Sequence, residues 1–294
     1  MRCLYVDLDG TLLGPGGSLL RGSGGRFALD GVRALQACDR ARVEVVLYSG
    51  RRQQSVFEDS RLIGSSSYIF ELGCGVVVDG ELEWLTDGIV PSDSDGTIND
   101  QIGRSGAPKL LLNRYAGRLE YHTPWSEGRD VSHLFRGCVD LDEVGAVLRD
   151  AGFGWLRLVD NGIVHEHAGR MPALPVVRAY HLVPAGASKA RAVARHMQAR
   201  GYGPRECIAA GDSREDMDTS QVVDTFWLVA NALERPGAGC SGQSTRARPG
   251  RDGRVRGRGL RGRGHDAERR LLTAVTSNST QVSSSIAVES STRS

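Results

Sequence analysis

Four separate fragments of the chain carry side chains able to handle a phosphate together with a hard cation. The first is Val6-Asp7-Leu8-Asp9-Gly10-Thr11. The apolar run before it places Asp7 at the end of a strand, and Gly10 permits the sharp turn that keeps Asp7 and Asp9 near one spot. Two carboxylates there can hold a hard cation. The plainer reading is a hairpin, because Asp-Gly between apolar flanks is a strong turn signal. The second fragment, Leu47-Tyr48-Ser49-Gly50-Arg51, ends a strand with a hydroxyl, a glycine and a guanidinium beside a helix start. Free backbone N–H groups and the helix dipole favour an anion at such a place. A capping Ser with a solvated Arg is the alternative.

The third fragment, Pro184-Ala185-Gly186-Ala187-Ser188-Lys189, puts Lys189 in the first turn of a helix, where a cation opposes the dipole. Of 37 basic residues only Lys109 and Lys189 are lysines. A misplaced one invites a functional reason, although a solvated surface Lys would also account for it. The fourth, Ala210-Gly211-Asp212-Ser213-Arg214-Glu215-Asp216-Met217, follows a buried strand with carboxylates on a tight turn. Asp212 could complete an oxygen cage with Asp7 and the carbonyl of Asp9, leaving room for water and phosphate as Mg²⁺ prefers. An N-capped helix with acids in its first turn fits the same residues.

These fragments need strand ends to hold them, and the apolar pattern supplies those ends. Leu4–Val6, Val43–Tyr48, Cys207–Ala210 and Thr225–Val229 read as strands. Gly31–Asp39, Ser55–Ile63, Ser188–Arg200 and Glu215–Val222 have helical period. Two βα blocks therefore flank a different middle, with apolar runs at Glu81–Leu85 and Lys109–Asn113 and a helical Leu141–Ala151. There Trp155–Val159 and Ile163–Glu166 are joined through Asp160-Asn161-Gly162, which predicts a hairpin. The fold class expected is α/β, a Rossmann-like parallel-sheet core interrupted by an α+β insert, with ligands at the C-terminal edge of the core strands. Residues 1–79 and 184–235 are assigned to the discontinuous core, and 80–183 to the insert.

From Pro236 onward Arg and Gly alternate, then Ser and Thr dominate, so residues 236–294 read as a disordered tail unable to bury a core. A passive tail, a reading-frame artefact of a GC-rich gene and an RNA-contacting Arg/Gly segment are the competing accounts. The formal charge of +2 conceals an asymmetry, because residues 235–294 hold 12 Arg against 4 acids. The remaining chain is net acidic and has no basic surplus for nucleic acid, so nucleic-acid binding is not expected outside the tail. Cysteines at 3, 38, 74, 138, 207 and 240 show no CxxC pair, which suggests a reduced, cytoplasmic protein. Met1–Leu13 has no basic leader, and no run approaches 18 apolar residues, so no membrane association is expected.

Taken together the four fragments resemble the signature of the haloacid dehalogenase superfamily of phosphatases: DxDGT, then Ser or Thr before Gly-Arg, then Lys, then GDSxxD. The likeness spans about residues 1–231. An insert between the second and third motifs is similar to the branch with the larger α+β cap, which includes Cof-type sugar phosphatases, sucrose-phosphate phosphatase and mannosyl-3-phosphoglycerate phosphatase. His181-Leu182-Val183-Pro184 also resembles that branch's exit from the cap.

The resemblance implies a Mg²⁺-dependent phosphatase acting on a small phosphorylated metabolite, a sugar or glycosyl-glycerate phosphate. Asp7 would be the nucleophile and form an aspartyl-phosphate; Asp9 would be the acid and base. Lys189 would offset charge, while Ser49, Gly50 and Arg51 hold the phosphate and Asn231 lies near the substrate. Asp7, Asp9, Asp212 and Asp216 would serve the metal, Asp216 from behind it or by orienting Lys189. Glu215 stands where the branch commonly has Asn, either pointing outward or strengthening the cation site. The strand and helix that the branch implies after Asn231 are not legible in this sequence.

In the insert, Trp125, Arg129, His133 and Arg136 could read the leaving group as the cap closes, or simply build a turn. Val164-His165-Glu166-His167 sets two imidazoles on one strand face; with no third ligand nearby, exposed strand histidines explain it better than zinc. A phosphomutase on the same scaffold and an RNA-binding protein using its tail are the alternative functions.

Overall fold

The computed structural model describes residues 1–164, 171, 173–234 and 254–256 of the 294-residue chain. The N-terminal half of its first sheet is built from β1 (Cys3–Val6), α1 (Asp30–Arg40), β2 (Glu44–Tyr48), α2 (Gln53–Leu62), β3 (Tyr68–Phe70), β4 (Gly75–Val78) and β5 (Glu81–Trp84). The middle of the chain supplies α3 (Ile98–Ser105), α4 (Ala107–Arg114), β6 (Leu119–Tyr121), β7 (His133–Gly137), α5 (Leu141–Asp150), β8 (Leu156–Ile163) and β9 (Arg178–Pro184). The chain then returns to the first sheet through α6 (Lys189–Arg200), β10 (Cys207–Gly211), α7 (Arg214–Met217), β11 (Thr225–Leu228), α8 (Ala230–Glu234) and β12 (Arg254–Arg256).

The first sheet has the order β12-β11-β10-β1-β2-β3-β4-β5, and its five central strands are parallel. Every residue of β1 and β10 is buried, as continuous apolar runs covered on both faces must be. From β1 the strand order proceeds one way through β2 and β3 and the other way through β10 and β11. That is a topological switch point, and the crevice beside it lies at the C-terminal ends of β1 and β10, where Asp7 and Asp212 follow. The second sheet, β6-β7-β9-β8, is wholly antiparallel and packs α3, α4 and α5 over a core that includes Phe135, Tyr180 and Leu182.

Two sequence expectations are corrected. Asn161-Gly162 does not turn a hairpin: β8 runs straight through it and pairs with β9, with a register shift between Asp160 and Ile163. Gly162 takes φ +103°, and its N–H donates to Asp160 Oδ1, so the left-handed residue is spent on a bulge rather than a reversal. Lys109–Asn113, read as one of the short apolar runs, lies within helix α4, which begins after left-handed Gly106 with Pro108 in its first turn. The tail read as disordered lies outside the described residues except at 254–256, where the backbone adds β12 antiparallel to β11.

Helix α6 is fixed at its start by Ser188, whose side chain accepts the Arg191 N–H, and by a close backbone approach. Gly73, at φ +88°, lies so near this turn that a Cβ would sit 2.2 Å from the Ser188 carbonyl oxygen. Gly73→Ala is therefore expected to destabilise the protein by roughly 2 kcal/mol or more, through clash and left-handed strain together. A urea titration of the variant against the parent measures it, and equal midpoints would refute the close fit.

Candidate active site

Asp7 follows β1 directly; its N–H donates to the Ala210 carbonyl on β10 at 3.0 Å, and its own carbonyl accepts the Leu12 N–H. The turn after it closes because Gly10, at φ +85°, donates to the Leu13 carbonyl. Lys189, fully buried in the first turn of α6, donates from Nζ to Asp7 Oδ1 at 2.7 Å and to Asp216 Oδ1 at 2.6 Å. Its ammonium also stands 4.7 Å from the centre of the Tyr48 ring. The unfavourable helix dipole at this position is thus outweighed by two carboxylates at hydrogen-bond distance.

Asp216 is completely buried, and its Oδ2 accepts from the Asp212 N–H, the Ser213 N–H and the Ser213 hydroxyl. It locks the turn after β10 while its other oxygen holds Lys189. One carboxylate oxygen each from Asp7, Asp212 and Asp216 lies within 4.8 Å of the others. Burial pushes the Asp7 carboxyl well above the usual carboxylate range; Lys189 opposes this, and Asp216 and Asp212 add to it. Burial also works to strip the Lys189 proton, but Asp216 and Asp7 prevail and hold the ammonium above the ordinary lysine value.

Three carboxylates against one ammonium leave an excess of negative charge in a buried place. An all-oxygen donor set with that excess suits a hard divalent cation such as Mg²⁺. The carboxylate of Asp9 stands apart from this cluster. It is more than half exposed and accepts from Arg51 Nε at 2.7 Å and Nη2 at 2.6 Å, while Arg51 Nη1 donates to Asp59 at 3.0 Å.

No protein-family model matches the chain. A phosphoglycolate phosphatase from Halorubrum lacusprofundi is 28% identical over 234 residues, covering 78% of this chain and 84% of that protein. A haloacid dehalogenase-like hydrolase from B. subtilis has a TM-score of 0.50 at 17% identity, over 80% of this chain and 91% of its own. A sugar phosphatase of haloacid dehalogenase subclass IIB gives 0.50 at 13% identity, over 81% and 88%. The chain shares the fold of these haloacid dehalogenase-like proteins.

The structure gathers most of the residues that the superfamily motifs single out, and it qualifies others. Ser49 is buried at the end of β2; its hydroxyl accepts the Arg51 N–H at 3.2 Å. Asn231 donates to the Gly10 carbonyl at 2.8 Å and so ties the end of β11 to the Asp7 turn. Glu215 points away from the carboxylate cluster and pairs with Arg157 of β8 at 2.8 and 3.1 Å. His133 and Arg136 serve the second sheet: His133 bonds the Asn99 carbonyl and Tyr121, and Arg136 pairs with Glu120. Trp125 is largely exposed. His165 and His167 lie outside the described residues.

Two contacts over the Ser49-Gly50 segment were not anticipated. Arg129 Nη1 donates to the Gly50 carbonyl at 3.0 Å, and a Cβ on Gly50 would meet Asn161 Nδ2 at 2.8 Å. The second sheet therefore lies directly on the segment expected to seat a phosphate. Arg129 is itself anchored by Ser132 Oγ at 3.1 Å and by the buried Glu71 carboxylate at 3.8 Å. A Gly that must stay bare for a side chain 111 positions away leaves no local signal. The bulge that presents Asn161 is disguised as a hairpin turn.

Among the described residues no helix is long and apolar enough to cross a membrane.

Proposed function

We propose that this chain is a Mg²⁺-dependent phosphatase that hydrolyses a small phosphorylated metabolite through an aspartyl-phosphate on Asp7. The observation that carries the reading is the buried triad in which Lys189 joins Asp7 to Asp216 at 2.7 and 2.6 Å beside Asp212. Asp7, Asp212 and the carbonyl of Asp9 would hold the cation, with Asp216 behind them. Once bound it supplies positive charge against the phosphate oxygens.

The rest falls to the chain itself. With one Asp7 oxygen fixed by Lys189, the other attacks phosphorus, and the bond from phosphorus to the leaving oxygen breaks. Lys189 offsets the charge that gathers between carboxylate and phosphate, and Ser49 with the Gly50 N–H holds its oxygens. Asp9 gives a proton to the departing alkoxide, then takes one from the water that cleaves the aspartyl-phosphate and regenerates Asp7. To reach the leaving group Asp9 must part from Arg51, and Arg51 is then free to meet a phosphate oxygen. The second sheet with α3, α4 and α5 would act as the cap, with Arg129 and Asn161 meeting the substrate from above and excluding water.

A panel containing 2-phosphoglycolate, hexose phosphates and p-nitrophenyl phosphate, read by released phosphate, tests the reading. Activity is expected to fall to background in EDTA and to return with Mg²⁺. Release that resists EDTA, or none from any substrate, would overturn it; a hexose 1-phosphate converted to its isomer without free phosphate would make the chain a mutase.

A further inference from the structure

At the opposite edge of the first sheet, where the strands begin, a second cluster of metal-ligating side chains is built across three neighbouring strands. Cys3 opens β1, and its register partners are Cys207 on β10 and Glu44 on β2. Side chains of one rank on adjacent parallel strands leave the sheet on the same face, so two thiols and a carboxylate stand in a row there. His196 of α6 closes over that row. One ligand atom each from Cys3, Glu44 and His196 lies within 4.8 Å of the others, and Cys207, the register partner of Cys3, stands beside that group.

The independent observation is the state of the imidazole. His196 is completely buried; its Nδ1 bonds the Tyr5 hydroxyl at 2.8 Å, which fixes the ring. Its Nε2 makes no hydrogen bond and faces Glu44 Oε1 at 3.5 Å. A buried nitrogen held this far from its nearest partner is costly unless a closer one takes it. An imidazole steered through its other nitrogen is how metal-ligating histidines are oriented.

We propose that Cys3, Cys207, His196 and Glu44 bind a zinc-class divalent cation, at a structural site separate from the Asp7 cluster. Two sulfurs, one imidazole nitrogen and one carboxylate oxygen are the mixed donors of tetrahedral zinc centres, and an all-oxygen Mg²⁺ site would not use them. Binding releases the two thiol protons to solvent. The ion's charge then offsets the two thiolates, while Arg200, which donates to Glu44 Oε1 at 2.9 Å, stays paired with the Glu44 carboxylate. Tyr202 holds the other Glu44 oxygen at 2.9 Å. Asp7 lies four residue steps along the strand from Cys3, about 13 Å, so the ion would clasp β10, β1, β2 and α6 at their base without touching the reacting groups.

Cobalt is the probe. The full chain, purified under reducing conditions and stripped by a chelator, is expected to take up one Co²⁺ that shows thiolate-to-metal charge-transfer absorption. That absorption should remain in Asp7→Asn and vanish in Cys207→Ser. X-ray absorption on the zinc-loaded parent needs no variant, and two sulfurs at about 2.3 Å are expected. A shell of oxygen and nitrogen alone, a sulfur signal that survives Cys207→Ser, or a Cys3–Cys207 disulfide in protein that takes up no metal would each overturn the site.

Discussion

Asp7→Asn is expected to lower kcat by about 10⁴-fold or more while KM stays within a few-fold. The amide keeps the shape of the carboxylate and its seat beside Lys189 but cannot attack phosphorus. The measurement that separates this role from mere structural support is acid quenching of a labelled substrate. The parent should retain label on the protein and the variant should not. A variant with a tenth of parental activity, or with label still attached, would remove Asp7 from the nucleophile's place. The same variant should gain stability without divalent cation, because one charge of a crowded anionic cluster is gone.

Lys189→Met is expected to have the largest effect on stability. Lys189 is the buried cation between Asp7 and Asp216, and removing one partner of a buried ion pair costs about 3–5 kcal/mol. Its ammonium is held above the ordinary lysine value, so its contribution is full below about pH 10 and is lost only as pH rises through the folded-state value. At neutral pH the variant thus bears the whole penalty. Asp7, already pushed upward by burial, rises further when Lys189 no longer opposes it, so acidification should narrow the gap between variant and parent. Mg²⁺ should also narrow it by supplying the missing positive charge. Urea titrations at about pH 5 and 7.5, with and without Mg²⁺, test both statements. A gap indifferent to pH and to Mg²⁺ would mean that Lys189 contributes only packing.

Much of this was legible because the chemistry sits at the ends of continuous apolar strands. The runs at Leu4–Val6, Val43–Tyr48 and Cys207–Ala210 mark β1, β2 and β10 closely enough to place Asp7, Ser49 and Asp212 at one edge. Lys189 was conspicuous because a cation at a helix start contradicts local electrostatics, and the carboxylates that justify it are 182 and 27 positions away. Where reading failed, the deciding term was not local. Asn161-Gly162 has hairpin chemistry, yet pairing of β8 with β9 on both sides of it favours a bulge. The ion pairs of Arg51 with Asp9 and Asp59 likewise had no local signal. The Lys109–Asn113 run is equally apolar as strand or helix; the left-handed Gly106 and Pro108 before it decide.

The Arg157–Glu215 bridge joins the outer sheet to the same short turn that carries Asp212 and Asp216. Any parting of the two layers has to break this partly exposed ionic tie as well as the apolar contacts that Leu72 and Cys74 make with the outer layer, and the ionic part weakens in brine. Ionic strength thereby becomes a throttle: added salt should loosen the doorway from outside while the innermost charges, shielded from solvent, barely notice.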